Sequence, residues 1–186
     1  ANNKNGKVDD VPFGGGPGMV INADVLDKAL SSASAEEGPR IYLSPRGIKF
    51  DQAFAKDLSK EQGAIFICGR YEGVDERFLI YNNVIEVSVG DFILSGGEIG
   101  AQLMIDATVR LLPNVIGNSI GLVEESFENN LLEYPLYTYP RVWNELEVPK
   151  VLLSGNHKKI KKWKTEMSEK ITKSKRPDLW SKYIKS

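Results

Sequence analysis

Two residue types that carry much of enzyme chemistry are almost missing from this chain: it has one cysteine, Cys68, and one histidine, His157. A single cysteine excludes an internal disulfide and any multi-cysteine metal site. A single histidine removes most zinc sites and leaves histidine catalysis one candidate, so no protein-bound metal is expected. No apolar run approaches the ~20 residues of a membrane-spanning helix, and no membrane partner is expected. The P-loop spacing Gly-x-x-x-x-Gly-Lys-Ser/Thr is absent, and no Gly-x-Gly-x-x-Gly opens a helix after a strand, so nucleotide hydrolysis and hydride transfer lack their usual marks. No internal repeat occurs. The chain starts at Ala1 without a signal-like segment; a cytoplasmic location is expected, with the true start upstream of Ala1.

What is present is a charge split. Of 186 residues, 41% are hydrophobic, enough to bury a core in one domain or one and a half. From Val148 to Ser186 twelve lysines and arginines face three carboxylates, a net of +9, while the whole chain carries -1. A near-neutral to acidic body with a basic terminal module points to a polyanion such as nucleic acid. Charge alone is equally compatible with a solvated lysine-rich helix.

Pro12-Phe13-Gly14-Gly15-Gly16-Pro17-Gly18-Met19 is too rich in Gly and Pro for helix or inner strand and reads as a loop, ordered by its apolar flanks. Asn22 or Asp24 can cap a helix with Val25, Leu26, Ala29 and Leu30 on one face. From Arg40 strands and helices alternate. Ile41 to Leu43 is a strand ending in Ser44-Pro45-Arg46-Gly47, and Asp51 caps the next helix. Ala64 to Cys68 is an apolar strand of the kind buried on both faces of a parallel sheet. Gly69-Arg70-Tyr71-Glu72-Gly73 follows, then a short helix over Val74 to Ile80 and a strand over Val84 to Val87. Ser88 to Asp91 reads as a turn, and Ser95-Gly96-Gly97 opens a longer helix from about Glu98, stopped by Pro113. The alternation argues a parallel α/β sheet with helices on both faces. Ligands of such sheets sit beyond the carboxyl ends of the strands, and three strands here end in glycine-bearing polar segments.

Residues 114–130 lack periodicity and read as a flexible linker. Beyond them an aromatic, extended run from Tyr134 to Pro140 precedes a helix that Ser154 or Asn156 can cap. Ile160, Trp163, Met167 and Ile171 form its inward stripe. This makes a small helical, basic second domain over 131–186.

Several runs then stand together: Val8-Asp9-Asp10 with Pro12 through Met19, Tyr42-Leu43-Ser44-Pro45, and Gly69 through Arg77. Gly90-Asp91-Phe92-Ile93-Leu94-Ser95-Gly96-Gly97-Glu98, Glu125-Ser126-Phe127 and Leu152 through His157 with Trp163 complete the set. In this order, over essentially the whole chain, they resemble the bacterial tRNA (guanine-N1)-methyltransferase family, of the knotted SPOUT class. The resemblance implies a trefoil knot at the C-terminal side of the sheet, a knotted cofactor-binding domain over 1–113, and S-adenosylmethionine held there. The cofactor contacts carried over are Tyr42, Leu43, Ser44, Pro45, Gly69, Tyr71, Glu72, Gly73, Ser88, Val89, Gly90, Phe92, Leu94, Gly96 and Gly97.

It further implies methyl transfer to N1 of the guanosine 3′-adjacent to the anticodon, in a homodimer whose active site is shared between subunits. Guanine N1 carries a proton at neutral pH, so the reaction needs a base, and charge develops on the guanine oxygen. By resemblance Glu125 stands at the base position and Arg110 is the catalytic arginine; Glu124 is an alternative base. Gly15 and Gly16 fall to substrate recognition, and Lys158, Lys159, Lys161 and Lys162 to tRNA phosphates. Magnesium is carried as a further cofactor candidate. The family's base is typically Asp, one methylene shorter than Glu125; Phe13 and Phe92 replace frequent tyrosines; and the family has a strand and helix before Ala1. The rival reading is a non-catalytic RNA-binding module.

Overall fold

The computed structural model describes residues 6–33, 38–116 and 125–186, and these divide into two units, Ala1–Ile116 and Gly117–Ser186. In the first unit Asp9–Asp10 (β1) pairs antiparallel with Val20–Ile21 (β2), so the Gly/Pro-rich run between them is the tip of a hairpin. Helix α1 spans Ala23–Ser32; Asn22 stands at its N-cap position but makes no side-chain capping bond, and Asp24 lies within the first turn. Then come β3 (Arg40–Lys49), α2 (Gln52–Leu58), β4 (Ile65–Ile67), α3 (Glu76–Tyr81), β5 (Ile85–Ser88) and α4 (Glu98–Val109). The Asp51 carboxylate accepts the Phe54 amide at 3.0 Å and caps α2 as expected. Asp75 caps α3, accepting from the Arg77 amide at 2.9 Å. That helix therefore starts at Glu76 rather than Val74, which is held in a parallel bridge to Ile21.

The three strands β4, β3 and β5 form a parallel sheet in that order. Strand alternation sorts the helices onto its two faces. Ile41 and Leu43 pack with Val87, Leu58 of α2 and Met104 of α4. Tyr42, on the opposite face, packs with Leu26 and Leu30 of α1 and Phe78 and Leu79 of α3. Ile41, Val87 and Met104 are fully buried, worth about 1.5–3 kcal/mol each over exposure.

Three expectations change. Among the described residues β4 pairs with β3 alone, and its residues are only half-buried; an apolar run of this length reads alike with one strand neighbour or two. Ser44 to Gly47 does not end its strand. β3 bulges there and rejoins β5, so that Leu43 and Ile48 both stand opposite Val87. The Ser-Pro-Arg-Gly composition suggested a loop, but Gly47 lets the chain return across the neighbouring backbone: a Cβ there would lie 2.3 Å from the Val87 nitrogen. Arg46 leans over the bulge onto Glu76 at 2.8 Å and Glu86 at 3.0 Å. Ser88, finally, closes β5, and its hydroxyl accepts the Gly90 amide at 3.3 Å, so the turn begins one residue later.

In the second unit, Phe127 donates its amide to Leu131 at 2.7 Å and the Ser126 hydroxyl accepts the Glu133 amide at 3.0 Å. Of the segment 114–130, residues 117–124 lie outside the described ones. Val142–Trp143 (β6) and Leu146–Glu147 (β7) form a tight hairpin, followed by a 3-10 turn over Lys150–Leu153. Helices α5 (His157–Lys175) and α6 (Pro177–Tyr183) complete it. Asn156 caps α5 by accepting the Lys159 amide at 3.1 Å. The expected stripe is only half-buried; the deepest α5 residues are Ser168 and Thr172. Small polar side chains can sit there because their hydrogen bonds are met: the Thr172 hydroxyl donates to the Ser168 carbonyl at 2.7 Å and accepts the Leu132 amide at 2.8 Å. Thr172→Val should therefore destabilise this unit by about 1–3 kcal/mol through the orphaned amide. Urea unfolding reads the effect; an unmoved midpoint would mean that water replaces the hydroxyl. No helix among the described residues is long and apolar enough to cross a membrane.

Candidate functional site

At the bulge of β3 and the carboxyl ends of β4 and β5 lies a cleft of about 290 Å³, just under the ~300–1,000 Å³ typical of small-molecule sites. Tyr42, Leu43, Ser44 and Pro45 line it from β3 and its bulge. Gly69, Tyr71, Glu72 and Gly73 line it after β4, and Ser88, Val89, Gly90, Phe92, Leu94, Gly96 and Gly97 at and after the end of β5. Arg70, Val87, Ile93 and Ser95 also line the wall and were not singled out from sequence. Their one available signal is position, inside the same runs.

The glycines are demanded by close approach. Gly69 and Gly73 lie against the Tyr42 ring, where added Cβ atoms would come to 2.9 Å of a ring carbon and 3.1 Å of the hydroxyl oxygen. Gly73 also holds φ +120°, a backbone region that side chains disfavour. Gly97 sits on the Cys68 Cα, and its amide donates to the Gly69 carbonyl at 3.2 Å. This ties the segment after β4 to the start of α4.

Charge on the cleft is balanced locally. The Arg70 guanidinium lies 2.7 Å from a Glu98 carboxylate oxygen. The Glu98 amide, together with Arg70, holds that carboxyl below its ordinary range against slight desolvation, so it is anionic at neutral pH. Burial, reinforced by Glu98, pushes the Cys68 thiol up and keeps it protonated, a poor nucleophile. Burial and the Glu86 charge likewise push the Tyr42 phenol up. With Arg70 paired, Glu72 lends the wall a carboxylate, apolar surface comes from Leu43, Val89, Ile93 and Leu94, and the glycine turns offer peptide donors and acceptors. That donor set fits a nucleoside joined to a cationic sulfonium, as in S-adenosylmethionine, better than a polyphosphate.

Gly15 and Gly16 are not part of the cleft. They sit at the hairpin tip, with φ +79° and +128°, beside a fully exposed Phe13. The tip is tied to the wall at its far end, where the Met19 carbonyl accepts the Glu72 amide at 3.1 Å. Arg110 is the C-cap residue of α4, half-buried. Glu125 opens the described part of the second unit, also half-buried; Glu124 lies outside the described residues. Lys158, Lys159, Lys161 and Lys162 are exposed on the first turns of α5, and His157 is that helix's first residue. Among the described residues no three His, Cys, Asp or Glu side chains gather as a metal site.

A family model described as tRNA (Guanine-1)-methyltransferase TrmD matches residues 1–182. A protein of Pelagibacter ubique named tRNA (guanine-N(1)-)-methyltransferase is 56% identical over 187 residues, covering 100% of this chain and 82% of that protein. Proteins of the same name from Rhodospirillum rubrum and Roseobacter denitrificans are 49% and 52% identical, covering 99% and 96% of this chain and 77% and 75% of their own lengths.

Proposed function

Because this chain belongs to the tRNA (guanine-N(1)-)-methyltransferase family, we propose that it methylates N1 of the guanosine 3′-adjacent to the anticodon in tRNA, holding S-adenosylmethionine in the strand-end cleft. The observation that carries this is the convergence of the β3 bulge and the segments after β4 and β5 on one cleft. We assign the SPOUT trefoil knot to these same segments, the cofactor site to the first unit and tRNA binding to the basic second unit. When bound, S-adenosylmethionine supplies a methyl group made electrophilic by its sulfonium.

The chain's own residues do the rest. The glycine turns of Gly69, Gly73, Gly96 and Gly97 bring peptide groups against the adenosine, and Glu72 favours a cation at the wall. Glu125 would hold the proton taken from guanine N1. Arg110 stabilises the negative charge that builds on the guanine oxygen. Gly15 and Gly16 at the hairpin tip approach the extruded base, and the α5 lysines hold phosphates. Homodimer formation is part of the proposal, supported by apolar side chains that α4 leaves exposed, Ile99, Leu103 and Ile105 among them.

The test uses the full chain, an unmodified tRNA transcript, magnesium and methyl-labelled S-adenosylmethionine, with nucleoside analysis of the product. N1-methylguanosine is expected, and its absence would overturn the proposal. Calorimetric titration with S-adenosylmethionine alone separates an enzyme from a module that binds only RNA.

A further inference from the structure

The hairpin of β6 and β7 does more than turn the chain. The Val148 amide donates to the Arg141 carbonyl at 3.0 Å, fixing the residues that flank its two strands. Those residues, with Tyr137, Thr138, Tyr139 and Leu153, enclose a cavity of about 200 Å³ within the second unit. Tyr137 is held from behind by Trp163, ring centroids 6.3 Å apart. Tyr139 is 81% exposed, and Arg141 has no ion pair or side-chain hydrogen bond among the described residues. Packing of the unit explains neither. Leu153 ends the 3-10 turn that packs against α5, the helix whose first turns carry Lys158, Lys159, Lys161 and Lys162.

An exposed phenol ring and an uncommitted guanidinium plane at one small cavity, beside a lysine cluster, match how proteins take up a single unpaired base: rings and guanidinium stack on it while cations hold the backbone. We propose that this cavity is a stacking site for one unstacked nucleobase of the RNA substrate, with Tyr139 and Arg141 as its faces and the Thr138 hydroxyl at its edge. It rests on the tRNA reading above and adds a second base-holding site, distinct from the cleft. Tyr137 is the backing wall, fixed by Trp163.

The test measures binding of a fluorescently labelled, unmodified tRNA transcript to the full chain by anisotropy across a salt series. Tyr139→Ala should weaken binding about tenfold while Tyr139→Phe stays within about twofold, because stacking needs the ring and not the hydroxyl. The salt dependence of Tyr139→Ala should parallel that of the parent, since no phosphate contact is lost, whereas Lys159→Ala should lower the slope by about one. Exposure of Tyr139 keeps folding out of the comparison. Parent-like binding by Tyr139→Ala overturns the stacking site, as does Tyr139→Phe falling as far as the alanine variant. Failure of the parent itself to bind tRNA overturns the tRNA reading instead, so the two failures are distinguishable.

Discussion

Gly47→Ala should destabilise the first unit by about 3 kcal/mol or more and abolish tight cofactor binding with it. A Cβ at this position would come within 2.3 Å of the Val87 nitrogen, 2.4 Å of the Glu86 carbonyl carbon and 2.5 Å of the Val87 Cα. All three are backbone atoms of β5, so no side-chain rotation relieves the contact. Relief has to come from parting β3 and β5 where Leu43 and Ile48 share Val87. That movement carries Ser44 and Pro45 away from the cleft they line. A lower urea midpoint and at least a tenfold weaker calorimetric affinity for S-adenosylmethionine, about 1.4 kcal/mol, are the expected readouts. Gly15→Ala is the control, because nothing lies within 4 Å of its Cβ; only its φ is unfavourable, a penalty of about 1–2 kcal/mol. Parent-like stability of Gly47→Ala would mean that the bulge does not cross Val87 as described.

The second large effect falls on turnover. Glu125→Gln keeps the side chain's shape but removes the carboxylate proposed as the base, so kcat should fall by about 10²–10⁴ with tRNA binding preserved. Glu125→Asp should retain most of the turnover, since a carboxylate remains. Arg110→Ala should lower kcat by about 10²–10³, and Arg110→Lys should restore it only partly, because a point charge does not reproduce the guanidinium fork. Single-turnover methylation measures each variant. Retained turnover in Glu125→Gln moves the base elsewhere, and Glu124→Gln made separately tests the neighbouring position.

Sequence was most informative where one residue has one physical task. Asp51 and Asn156 cap the helices assigned to them, because a short polar side chain before an apolar stripe has few other uses. The convergence of the segments after β4 and β5 followed from strand–helix alternation and the glycines after those two strands, whereas the third contribution comes from inside β3. The bulge of β3 was hidden, since Pro45 and Gly47 look like a loop unless the partner strand is known. The half-burial of β4 was hidden for the same kind of reason: neighbours, and not composition, decide burial. Ser168 and Thr172 were passed over as deep residues of α5 because a periodicity count rewards apolar side chains and cannot see the Leu132 amide that pairs with Thr172. The β6–β7 hairpin, and with it the cavity at Tyr139, went unread because its turn uses Asn144 and Glu145, both at positive φ, without the usual glycine.

The sheet that carries the cleft joins partners far apart in the chain, Ile41 beside Ile85 with β4 on the other side of β3. The second unit combines neighbours, α5 packed on α6 and β6 turned into β7, with a contact of similar reach, Leu132 on Thr172. Closing long loops before any contact rewards them is slow, while adjacent helices and hairpins form fast. In both units, then, the contact that spans the chain is the slow one to form and the local elements are the fast ones.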